Sequence, residues 1–63
     1  MENKRWIIKD LSDNGWVKEK IGVLLILDKD REEAHRFLSK NGAELFMEKI
    51  KKYLGGQYEV EQL

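Results

Sequence analysis

Five apolar residues in a row, Val23-Leu24-Leu25-Ile26-Leu27, sit between Gly22 and an unbroken charged run from Asp28 to Glu33 in a chain of 63 residues. A strand points successive side chains to opposite faces, so a run that is apolar at every position reads as a strand covered on both sides. So short a chain can hardly provide that cover. A domain of about 60 residues buries only roughly 60% of the surface its unfolded chain exposes. Below about 70 to 80 residues, stability usually draws on disulfides, a metal, oligomerisation or very good packing. There is no cysteine, which removes disulfides, thiolate zinc sites and thiol nucleophiles and fits a cytoplasmic protein.

Charge narrows the partners. The 12 basic and 12 acidic residues cancel and are interspersed, so no field of one sign extends from the surface to gather phosphate or acidic lipid. Residues 1–20 hold no apolar stretch of signal-peptide length, and no run approaches a membrane span. The expectation is one soluble cytoplasmic domain over residues 1–63, with no membrane partner.

Local pattern then gives elements. Lys4 to Leu11 (KRWIIKDL) is rich in β-formers and runs into Ser-Asp-Asn-Gly, predicting a strand over 4–11 and a turn. A three-residue loop, Asp13-Asn14-Gly15, sets Asp10 against Lys18 and Lys9 against Glu19. The two-residue alternative, Asn14-Gly15, sets Asp10 against Glu19 and Lys9 against Lys20. Like charges directly opposite destabilise, so the three-residue loop is expected. A second strand follows over 16–27, with a bulge or close backbone approach at Gly22. Asp30 with Glu33 three residues on resembles a capping box and predicts a helix over 30–40, stopped at Asn41-Gly42. Ala43, Phe46, Met47, Ile50, Tyr53 and Leu54 form one stripe of a second helix over 43–54, and Gly55-Gly56 ends it. Tyr58 and Val60 alternate with polar residues in a third strand over 57–62.

The expected fold is α+β, a two-layer ββααβ arrangement with a three-stranded antiparallel sheet in order 1-2-3 and both helices on one face. In the expected register Ile7, Leu11, Val17, Ile21, Val23, Leu25 and Leu27 take the helices. Trp6, Ile8, Leu24 and Ile26 then share the other face, where one helical layer leaves them uncovered unless a bulge at Gly22 re-aims them.

Signals for chemistry are weak. Of Asp28, Asp30, Glu32, Glu33 and His35, only Glu32 and His35 stand at a spacing that shares a helix face, too few for a metal, and acidic residues suit a helix start. The chain has no Cys and no Thr, and Ser12 and Ser39 fall in a turn and at a helix end, so no nucleophile with its base is expected. No glycine-rich phosphate loop or other cofactor motif is present. Lys49, Lys51 and Lys52 with Arg36 and Lys40 form a basic surface only if the pairs Glu32–Arg36 and Glu48–Lys52 do not neutralise it.

The expectation is therefore a non-enzymatic protein-interaction or regulatory module, a homodimer joined through Trp6, Ile8, Leu24 and Ile26, whose helical surface or strand edges bind a protein partner. The alternative is a single-stranded nucleic-acid-binding module in which Trp6 and Trp16 stack on bases while Lys4, Arg5, Lys18 and Lys20 touch phosphates. Zero net charge weighs against that alternative.

Overall fold

The computed structural model describes residues 5–22 and 24–63; the expectations that involve Lys4 and Val23 lie outside them. The elements are β1 (Trp6–Asp10), β2 (Gly15–Ile21), β3 (Leu24–Asp28), a 3-10 turn (Arg31–Glu33), α1 (Lys40–Leu54) and β4 (Tyr58–Gln62). All strand pairs are antiparallel and the sheet order is β3-β2-β1-β4. The α+β class stands. Four strands and one α-helix replace the expected three strands and two helices, and the order 1-2-3 is corrected.

The expected strand over 16–27 is two strands. Gly22 has φ +60°, and Ile21 pairs with Leu24 across the connection it opens. A left-handed residue is what a two-residue hairpin connection requires, and glycine adopts it without steric cost. Leu24 to Leu27 of the apolar run therefore lie at the sheet edge rather than in its centre. A bulge does occur, but between Val17 and Glu19, where Lys18 is the extra residue and its Nζ lies 3.6 Å from Asp28 Oδ2.

The first hairpin loop is wider than expected. Asp10 pairs with Gly15 and Lys9 with Trp16, leaving Leu11 to Asn14 as the loop, with Asn14 in the left-handed region at φ 57°. The Asp10 carboxylate holds this loop, its Oδ1 accepting from the backbone N–H of Ser12 at 2.8 Å and of Asp13 at 3.2 Å. The pairing differs from the expected one by an odd number of residues, which turns every β1 side chain to the other face. Trp6 and Ile8 thus join Val17, Leu25 and Leu27 on the helix side, and Ile7 points away from it.

No α-helix forms over 30–40. Asp30 does cap, its Oδ1 accepting from Glu32 N–H at 3.0 Å, but only the 3-10 turn follows. β1 and β2 pair only at Lys9 and Asp10, and the backbone of Trp6 and the carbonyl of Val17 need other partners. Extended residues 35–37 supply them. His35 N–H donates to Val17 O at 2.9 Å, Phe37 N–H donates to Trp6 O at 2.7 Å, and Trp6 N–H donates to Phe37 O at 3.2 Å. A helix there would satisfy its own backbone and leave these groups bare.

Ser39 starts α1, its Oγ accepting from Gly42 N–H at 3.0 Å. The Asn41-Gly42 pair, expected to end a helix, lies in its first turn instead. Gly55, at φ 72°, ends it. β4 then returns beside β1, from Asp10–Tyr58 to Trp6–Gln62, because one helix rather than a helical hairpin carries the chain across.

Ile8, Val17, Ala43 and Ile50 form the buried core, packed by Trp6, Leu25, Leu27, Phe37, Phe46, Met47, Leu54, Tyr58 and Val60. The expected helical stripe holds except for Tyr53, which lies on its flank and is exposed. No described helix is long and apolar enough to cross a membrane.

Candidate functional site

The face opposite α1 has two halves. Register puts Ile7, Lys9, Trp16, Glu59 and Glu61 on its inner half and Glu19, Ile21, Leu24, Ile26 and Asp28 on its outer half. The linker from β3 to α1 crosses the inner half. Arg31 reaches 5.5 Å from the Trp16 ring centroid and 3.8 Å from Glu61 Oε1, and donates to the Gln62 carbonyl at 3.0 Å. Lys9 Nζ also lies 5.5 Å from the Trp16 centroid. Ala34 in the linker and Ile7 in the sheet are both buried.

Among the described residues the outer half has no such strap. Ile21 is 56% exposed and Leu24, paired with it, 59% exposed, while Ile26 is half-buried. β3 is also an edge strand, and its backbone makes no hydrogen bond outside the ladder with β2 among the described residues.

Of the four residues expected to share an open face, the structure brings together only Leu24 and Ile26. Trp6 packs against the core with Lys40 Nζ 5.9 Å from its ring, and Ile8 is fully buried under α1. Ile21, assigned by sequence to the covered face, belongs to the exposed group. Its true face depends on the bulge at Lys18, which no residue pattern marks.

The other candidates disperse. Trp6 and Trp16 lie on opposite faces, Lys18 is bonded to Asp28, and Lys20, paired with Leu25, points to the helix side. Arg36 reaches Glu32 at 3.2 Å without a helix between them. His35 is exposed, its ring edge-on to Phe37 at 4.7 Å. Among the described residues no three His, Asp or Glu side chains gather as metal ligands. Glu48 and Lys52 form no ion pair, and Lys49, Lys51 and Lys52 are exposed.

Tyr58 is the one phenol engaged by the fold. Its hydroxyl donates to the Gly55 carbonyl at 2.8 Å. Burial first, then the charges of Asp10 and Asp13, raises its pKa above the ordinary 10.0.

Comparison with known protein families, curated proteins and solved structures finds no match to this chain.

Proposed function

We propose that the chain is a small non-enzymatic protein-interaction module that forms a homodimer through the uncovered outer half of its sheet. The observation that carries this is the adjacent exposure of Ile21 and Leu24 beside Ile26, on a face that the linker, among the described residues, straps over its inner half at Trp16, Glu61 and Gln62. Single exposed apolar residues are ordinary, but a cluster on a sheet face marks a contact surface. Covering what remains exposed of Leu24 and Ile26 on each of two copies contributes less than the roughly 1.5 to 3 kcal/mol of a fully buried side chain, because both are already partly buried. Against this stands an association cost of about 4 to 15 kcal/mol, so the expected dimer is weak. The nucleic-acid alternative has no comparable support, because Trp6 and Trp16 lie on opposite faces, Trp6 is packed against the core, and Lys18 is paired with Asp28.

Sedimentation velocity over a micromolar concentration series tests the reading. The unsubstituted chain should shift from monomer to dimer, while Leu24→Lys should stay monomeric with an unchanged circular dichroism spectrum. A native chain that stays monomeric throughout refutes it.

A further inference from the structure

Resting on that self-association, the geometry points to its mode: two copies join edge to edge, β3 pairing antiparallel with β3 of the second copy about a two-fold axis at Ile26, into one continuous eight-stranded sheet.

Three observations favour the edge over a stack of sheet faces. First, the strap at Arg31 to Ala34 stands on the face opposite α1, and Lys9, Glu19, Asp28, Glu59 and Glu61 share that face. Stacking two such faces buries charged side chains in each copy, a desolvation that edge pairing avoids. Second, among the described residues the outer edge of β3, an apolar strand, makes no backbone hydrogen bond beyond its ladder with β2. Natural edges are usually blunted by a lysine, a proline, an outward bulge or a covering segment. Leu24–Asp28 contains neither lysine nor proline, and its ladder irregularity lies on the β2 side, at Lys18.

Third, the strand is compatible with a second copy of itself. A two-fold axis perpendicular to the sheet sets Ile26 against Ile26, Leu25 against Leu27 and Leu24 against Asp28, so all five residues of β3 find partners. The only charge in the strand, Asp28, then lies opposite a leucine and is already bonded to Lys18. The two Asp28 carboxylates fall at opposite ends of the shared ladder, so no like charges meet. The axis also keeps both helices on one side of the joined sheet, and on the other side each Ile26 packs laterally against the other copy's Ile26 and each Leu24 against the stem of the other copy's Asp28, which takes part of their exposed surface out of water.

The absence of native cysteine makes single-cysteine trapping clean. Ile26→Cys should oxidise to a covalent dimer at least about tenfold faster than Leu45→Cys, an exposed position on α1, because pairing raises the effective concentration of facing thiols. In the unsubstituted chain, mixed labelled and unlabelled copies should show an intermolecular NOE between Leu25 and Leu27. A chain that dimerises in sedimentation but shows equal trapping rates and no such NOE overturns the edge pairing and leaves self-association standing. A chain that remains monomeric overturns both.

Discussion

Ile7 and Ile8 are neighbours in β1 and point to opposite faces of the sheet, yet both are fully buried; Ile21 and Leu24, paired in the β2–β3 hairpin, are each more than half exposed. The difference is not in apolar content. β1 lies in the half of the sheet that has α1 on one side and the Arg31–Ala34 strap on the other. α1 packs chiefly against β4 and β1, and among the described residues no strap crosses the distal hairpin. A chain of this size carries one segment back across its sheet, and where that segment runs decides which half is complete alone.

The contrast breaks most sharply by truncation. Ile8→Ala should cost about 2 to 5 kcal/mol, cavity included, which is comparable to the roughly 3 to 5 kcal/mol a core of this size supplies. Urea denaturation followed by circular dichroism should find that variant largely unfolded in buffer. A folded variant with a near-native midpoint would mean that the doubly covered half is not where stability resides.

The strap comes next. Arg31→Ala removes a hydrogen bond, an ion pair and a cation–π contact, all partly exposed, for an expected loss of about 1 to 2 kcal/mol. Tryptophan fluorescence should shift as Trp16 loses cover. The deficit should narrow at high salt, since screening weakens the ion pair in the native chain first. An unchanged midpoint and emission would leave Ile7 buried by something other than the strap.

Alkaline titration is a smaller probe of the covered half. The folded pKa of Tyr58 lies above its unfolded value, because burial and the charges of Asp10 and Asp13 disfavour the phenolate. Its contribution is therefore fully present below the ordinary value of 10.0 and is lost as pH rises through the folded value. Chemical denaturation at rising pH should show that decline, and Tyr58→Phe should flatten it; an equal decline in both chains excludes Tyr58 as the source. Smallest of all, Ile21→Ala should change monomer stability by no more than about 0.5 kcal/mol, in contrast to Ile8. A loss of core size would place Ile21 inside the monomer.

Much of this was legible in the residues, and the misses have physical causes. The α1 stripe from Ala43 to Leu54 and the alternation in β4 reported their elements because period and burial agree there. Asp30 did signal a cap, but capping chemistry does not fix how long the capped turn continues. The unpaired backbone of Trp6 and Val17 drew residues 35–37 into extended form, a tertiary demand that local spacing does not carry. Gly22 stands out in the sequence as a special position, yet a bulge and a hairpin connection both use glycine. Asp10 looked like a cross-strand charge partner, and its role as the ligand of its own turn set the register that decided the faces of Trp6 and Ile8. Of the candidate surface, Leu24 and Ile26 could be read from the apolar run, whereas Ile21 could not.

Amide hydrogen exchange, read strand by strand at low and high protein concentration, probes the contrast between the halves most directly. Self-association through the outer half predicts that the outward-facing amides of Leu24–Asp28 gain protection as concentration rises while those of β1 do not change. Protection at β3 that is independent of concentration contradicts it.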